Sequence, residues 1–170
     1  DSGTSTAASI LGITGSVIDN FYSEGYKIGL DLRAISSSVS NAHILLKTDA
    51  GGSSNECSFK LSGNQNILTD NIFELDKAHT DSGDHVVKIT EGTHTFQNNR
   101  FRSAAAEGQY LITGSANVSA SLVNNIYEVA NTSYITASNV NNITTGFIDG
   151  RGNWHRSQTT SSFDHLSITG

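Results

Sequence analysis

The chain has no proline, no methionine and a single cysteine in 170 residues. One thiol, Cys57, can close no internal disulfide, so the fold stands without covalent staples, and Cys57 reads as a small buried hydrophobe rather than a nucleophile. Charge is scarce too: Asp, Glu, Lys and Arg make up 15% of the chain, against about 25% in ordinary globular domains. Ten basic and sixteen acidic side chains leave a net charge of −6 with no basic cluster, which excludes a dedicated DNA or RNA binder, because phosphate neutralisation needs clustered Lys and Arg. The longest apolar run, around Ile44 to Leu46, is far short of the roughly 18 residues that span a bilayer. Neither membrane insertion nor a signal peptide is expected. What replaces charge is Ser, Thr and Asn, about a third of the chain. The length suits one domain over residues 1–170. A chain that opens on Asp1 and lacks methionine reads as a piece of a longer polypeptide, artificial at both ends.

Apolar residues recur too regularly for a disordered chain. A six-residue pattern, apolar-x-(Asn/Asp)-Asn-x-(aromatic or apolar), occurs at Val17–Tyr22 (VIDNFY), Leu68–Phe73 (LTDNIF), Phe96–Phe101 (FQNNRF) and Leu122–Tyr127 (LVNNIY). Weaker copies stand at Val39–Ile44 (VSNAHI) and Ile143–Ile148 (ITTGFI). The starts are separated by 22, 29, 28, 26 and 21 residues, and a period of this size is the mark of a solenoid. Upstream of each copy lies a short alternating segment: Leu11/Ile13, Leu30/Leu32, Phe59/Leu61, Val87/Ile89, Tyr110/Ile112 and, weakest, Tyr134/Ile135. Alternation with period two reads as strand. Leu166 and Ile168 begin a seventh unit, over about residues 163–170, that the chain does not finish.

Helices would show apolar spacing of three and four over ten or more residues, and an antiparallel sandwich gives no reason for a repeat of about 25. Stacked strands explain both features. The fourth hexad position, Asn20, Ala42, Asn71, Asn99, Asn125 and Gly146, is expected to bend the chain, since Asn and Gly tolerate left-handed backbone angles. The third, Asp19, Asn41, Asp70, Asn98, Asn124 and Thr145, is expected to form a structural polar column exchanging side-chain hydrogen bonds along the stack.

With these Asn-containing corners, a three-strand unit length and a Ser/Thr/Asn-rich composition over about residues 8–170, the chain resembles the right-handed parallel β-helices of the pectate-lyase type, most of all bacteriophage tailspike and appendage proteins. The resemblance implies an all-β solenoid of six to seven coils, truncated at both ends. It also implies a homotrimer outside the cell, on a virion tail or appendage, that binds or cleaves bacterial surface polysaccharide by hydrolysis through paired carboxylates or by lyase chemistry. No catalytic motif of the family matches residue by residue, and no calcium-binding Asp cluster is present; no cofactor or metal is expected.

The residue after each hexad gives the most charged column: Ser23, Leu45, Glu74, Arg102, Glu128 and Asp149. Carboxylates one coil apart, about 4.8 Å, approach the spacing of retaining glycosidases, and two coils apart the inverting range. Glu128 with Asp149 fits the first and Glu74 with Glu128 the second, so these three are the catalytic candidates. The competing reading is a surface ion ladder with Arg102 between two glutamates. The segment Asp149–Arg156 holds the only Trp. Trp154 offers a face for a sugar ring, and Arg151, His155, Arg156 and Arg102 offer donors to hydroxyls and acids; Trp154 serves equally as an end plug or a subunit contact. Two insertions, Lys47 to Ser54 and Asp76 to Asp84, are placed to wall a groove. Of the histidines, His79 and His85 read as exposed. Three functions follow: a spike segment that binds and in one form depolymerises polysaccharide, a non-catalytic shaft or trimerisation segment, or a bacterial polysaccharide lyase or hydrolase.

Overall fold

The computed structural model describes residues 6–25, 27–46, 56–76, 85–103, 112–114, 118–129, 136–138, 154–157 and 167–169. These residues form strands and no helix. In chain order the first six are β1 (Thr6–Thr14), β2 (Val17–Asp19), β3 (Tyr22–Glu24), β4 (Ile28–Ile35), β5 (Ser38–Ser40) and β6 (His43–Leu46). Then come β7 (Cys57–Asn64), β8 (Asn66–Thr69), β9 (Ile72–Leu75), β10 (His85–Ile89), β11 (Thr93–Gln97) and β12 (Arg100–Ser103). The last six are β13 (Ile112–Gly114), β14 (Ser119–Val123), β15 (Ile126–Val129), β16 (Thr136–Ser138), β17 (Trp154–Ser157) and β18 (Ser167–Thr169).

Successive strands fall in different sheets. The first sheet runs β1-β4-β7-β10-β13-β16-β18, the second β2-β5-β8-β11-β14 and the third β3-β6-β9-β12-β15-β17. Neighbours within each sheet are parallel, as in β4–β7, β8–β11 and β12–β15. A parallel pair needs a long connection between its strands, and here the other two sheets supply it. The spacing of about 25 residues is one circuit through all three.

Register places like side chains over one another. Leu30, Phe59 and Val87 form one inward file of the first sheet, and Leu32, Leu61 and Ile89 the next. Val39, Leu68, Phe96 and Leu122 do the same in the second sheet, and Ile44, Phe73 and Phe101 in the third. Each of these side chains is buried. Phe73 is the hinge of an aromatic stack, with ring centroids 5.2 Å from Phe59 and 5.5 Å from Phe101. The circuits pack closely enough that a Cβ at Gly63, where φ is 94°, would run into the Ala34 carbonyl of the circuit below.

The two polar hexad positions exchange the roles expected of them. The left-handed residues are the third ones, Asn41, Asp70, Asn98 and Asn124, with φ between 52° and 57°, and their side chains are exposed. The fourth ones, Asn71, Asn99 and Asn125, are buried and carry the hydrogen-bond ladder. Asn99 Oδ1 accepts from Asn71 N at 3.0 Å and Asn71 Nδ2 at 2.9 Å, while Asn99 Nδ2 donates to Leu68 O at 2.8 Å. Asn125 repeats this one circuit on: its Oδ1 accepts from Asn99 N at 2.8 Å and its Nδ2 donates to Phe96 O at 2.9 Å. The reason is geometric. A left-handed corner leaves the next amide and the preceding carbonyl facing inward without ladder partners, and an amide side chain is the one group that satisfies both and still reaches its stacked neighbour.

The bend also decides register where the apolar pattern misleads. Asn20 is left-handed at φ 56° and stands over Asn41, so Ile18, not Val17, pairs with Val39, and Ser23, not Tyr22, pairs with Ile44. Val17 and Tyr22 point outward, 73% and 60% exposed. In the first sheet Ala8 and Ile10, not Leu11 and Ile13, face Leu30 and Leu32, and a register shift between Leu11 and Ile13 takes up the slack. Ile112 pairs with Val87 rather than Ile89. Tyr110, Tyr134, Ile135 and the hexad at 143–148 lie outside the described residues.

A second internal polar column occupies the corner between the first two sheets. Asn66 Oδ1 accepts from Ser37 N at 3.0 Å, and its Nδ2 donates to Ala34 O at 2.8 Å and faces His94 Nδ1 at 3.4 Å. His94 Nε2 lies 2.7 Å from Glu91 O, so it carries the proton and Nδ1 accepts. This arrangement fits only a neutral ring. Burial is the main cause that holds the His94 pKa below its ordinary 6.5, against the opposing pull of Glu91. The unfolded chain therefore binds the proton more readily, and the stability His94 contributes is complete above pH 6.5 and lost as pH falls toward the folded-state pKa. His94→Asn, which keeps an amide in the column, is expected to flatten the loss of thermal stability below neutral pH. An unchanged acid limb in melting curves would assign that limb to other groups.

Candidate functional site

The outward faces of the three sheets differ in chemistry. On the first, Asp31 and Lys60 pair at 3.1 Å with Lys88 next in register. On the second, the outward files are Val17, Ser38, Ile67, Thr95, Ser121 and, beside them, Asp19, Ser40, Thr69, Gln97, Val123. Among the described residues, the third sheet gathers most of the ionisable groups. Its outward files run Tyr22, His43, Ile72, Arg100, Ile126 and Glu24, Leu45, Glu74, Arg102, Glu128, with Trp154 and Arg156 at the next register positions.

Glu74, Arg102 and Glu128 stand in one file, as their spacing in the sequence predicts, and they interlock. Arg102 Nη1 lies 3.0 Å from Glu74 Oε1 and 3.1 Å from Oε2, and Arg102 Nε lies 3.0 Å from Glu128 Oε2. His43 Nε2 reaches Glu74 Oε2 at 3.3 Å, and Arg100 Nε stands 3.8 Å from Glu128 Oε2. At the start of the sheet Tyr22 OH donates to Glu24 Oε2 at 2.6 Å, and its ring meets His43 edge-on at 5.6 Å between centroids. A general acid or nucleophile must turn a carboxyl oxygen to the glycosidic oxygen or anomeric carbon. Both oxygens of Glu74 and Oε2 of Glu128 turn instead to cations of the ladder. The arrangement is an ion-paired ladder of fixed donors and acceptors.

The file expected to begin at Ser23 begins one residue later, at Glu24, for the register reason given above. At its other end the position over Glu128 belongs to Arg156, not Asp149. The sequence pattern treats residues 143–148 as the next hexad, whereas the strand that pairs with β15 is β17. Asp149 and Arg151 lie outside the described residues, as do most of both insertions, 47–55 and 77–84. Trp154 and His155 take the positions over Ile126 and Tyr127, so the backbone carries the segment with the only Trp onto the same sheet as the ladder.

Arg100, His43 and Tyr22 are the residues that sequence reasoning missed. For Arg100 and His43 the signal was the fifth hexad position, left unspecified in the pattern because Ile72 and Ile126 share it with polar residues, whereas Tyr22 is the sixth residue of its copy and reads as an inward one. Arg100 is 44% exposed on its side chain, and its Nε stands 3.8 Å from Glu128 Oε2. Elsewhere His85 is buried, not exposed, and stands in register with a fully buried Cys57. Glu56, also buried, lies 3.9 Å from Lys27 Nζ where the third sheet turns into the first. Among the described residues no group of His, Cys, Asp or Glu is placed to hold a metal ion, and no helix is long and apolar enough to cross a membrane.

Comparison with family models, with curated proteins and with solved structures returns no match to this chain.

Proposed function

We propose that the three parallel sheets are the walls of a right-handed parallel β-helix segment of a bacteriophage tailspike or appendage, and that the outward face of its third sheet binds bacterial surface polysaccharide. The observation that carries this reading is the concentration on one rigid face of an aromatic ring, arginines, glutamates and a histidine, joined at β17 by the register positions of Trp154, His155 and Arg156. Polysaccharide recognition combines rings that stack on sugar faces with charged and amide groups that bond hydroxyls. Strands hold such groups more firmly than loops do. The interlocked glutamates favour binding over cleavage. The spike would act outside the cell as a homotrimer, with no nucleic acid, membrane or cofactor involved.

Titration against a panel of capsular and O-antigen polysaccharides tests the reading. Binding without new reducing ends or unsaturated sugars is expected, and Arg100→Ala should weaken it about 10–100-fold, the loss of one charge-assisted hydrogen bond. Release of sugar ends that stops in Glu74→Gln or Glu128→Gln would restore the catalytic reading. No binding across the panel would leave a structural shaft, which the two buried polar columns also suit.

A further inference from the structure

We propose, resting on the polysaccharide reading above, that the corner between the second and third sheets extends the binding site, and that its exposed Asn and Asp side chains select sugar units with adjacent free hydroxyls. Asp70, Asn98 and Asn124 lie over one another at this corner. On one side of them Thr69, Gln97 and Val123 are paired in the second sheet, and on the other Ile72, Arg100 and Ile126 in the third. Asn41 and Asn20 continue the same file below. All five side chains are exposed, and all five backbones are left-handed, with φ between 52° and 57°.

Backbone angle alone does not account for this file. At the corner between the first and second sheets the left-handed residues are Gly15, Ser36 and Gln65, stacked by the pairing of Thr14, Ile35 and Asn64 just before them. Three residue types meet the requirement there, and glycine meets it at no steric cost. At the second corner every position is Asn or Asp. The lower two are engaged with Asp19: Asn20 Nδ2 donates to its Oδ2 at 2.7 Å, and Asn41 Nδ2 to its Oδ1 at 2.9 Å. The side chains of Asp70, Asn98 and Asn124 make no hydrogen bond or ion pair with any described residue.

Spacing and chemistry define what these three groups fit. Successive circuits stand about 4.8 Å apart, fixed at the corner by Asp70 N donating to Gln97 O at 3.2 Å and Asn98 N to Val123 O at 3.0 Å. An amide side chain presents an acceptor beside a donor, and a carboxylate presents acceptors alone. Adjacent hydroxyls on a sugar ring both donate and accept, so they satisfy either group in pairs. A sugar chain laid along the stack meets one such group per circuit, with Arg100 supplying a charged donor beside them. An apolar partner would leave all three without hydrogen bonds, at a cost in affinity.

Glycine keeps a left-handed corner and removes only the side chain, so Asn98→Gly and Asn124→Gly test the file without disturbing the fold. With each capsular or O-antigen polysaccharide that binds the unaltered chain, either substitution should weaken binding about 3–10-fold, the range of one neutral hydrogen bond, at an unchanged melting temperature. Asn20→Gly, whose amide is tied to Asp19, should leave affinity as it is. The same polysaccharide with its hydroxyls O-acetylated should bind the unaltered chain and the double Asn98→Gly/Asn124→Gly variant alike, because the groups those amides bond are blocked. Full affinity in both glycine variants while Arg100→Ala weakens binding would overturn this inference and leave the third-sheet site standing. An O-acetylated form that still distinguishes the double variant would do the same. Absence of binding across the whole panel would overturn both. If one glycine variant melts early, the other carries the test.

Discussion

Replacing Asn99 by alanine is expected to cost about 3–5 kcal/mol of folding free energy, because buried polar groups left without partners cost roughly 1–3 kcal/mol each and a cavity adds to them. Asn99 is fully buried. Its removal orphans the Asn71 amide, which donates to Oδ1, and the Leu68 carbonyl, which accepts from Nδ2, and cuts the column between Asn71 and Asn125. The residue immediately before it makes the control. Asn98 is exposed and left-handed at φ 56°, so Asn98→Ala should cost only about 1–2 kcal/mol, the penalty of an ordinary side chain in that region, and Asn98→Gly close to nothing. Denaturation midpoints of the three variants decide the matter. Equal losses at positions 98 and 99, or a larger one at 98, would mean that the two asparagines have been given each other's jobs.

Phe73→Ala should be comparably severe, at about 3–5 kcal/mol, the usual loss for a phenylalanine cut back in a packed interior. Its ring lies between Phe59 and Phe101, and the void would open where the first and third sheets meet. Phe73→Leu keeps most of the volume and should cost about 1.5 kcal/mol or less. Tyr22→Ala, once aligned by sequence with the same inward file but in fact 60% exposed, should stay within about 0.5 kcal/mol. Thermal or urea midpoints read all three. A mild Phe73→Ala would indicate that the circuits collapse around the gap, which the close approach of Gly63 to Ala34 argues against.

In the middle of the chain the spacing of the repeat copies in the sequence coincides with stacking in the structure. Leu68, Phe96 and Leu122 lie over one another, and so do Glu74, Arg102 and Glu128. At the ends it fails. In the first circuit Val17-Ile18 and Phe21-Tyr22 each offer two adjacent bulky residues, and apolarity does not choose between them; the left-handed Asn20 does. Near the other end the segment 143–148 matches the hexad in composition, yet β17 at Trp154–Ser157 takes the pairing position. The His94–Asn66–Ser37 column was invisible for a different reason. Its members share no residue type, only a place where each can bond a corner amide or carbonyl.

Composition and period by themselves determined that this chain is built from short strands recurring about every 25 residues, that it has no covalent staples, and that hexad asparagines such as Asn71, Asn99 and Asn125 sit at corners. Which asparagine bends and which is buried was decided only in three dimensions. Both tolerate the left-handed region, and the choice rests on which side chain can reach the interior amides of the next circuit. The tertiary structure likewise decided how the charged file is paired. A sequence states that two glutamates and an arginine align, whereas the fold brings Arg102 to 3.0 Å from both and joins them as a ladder.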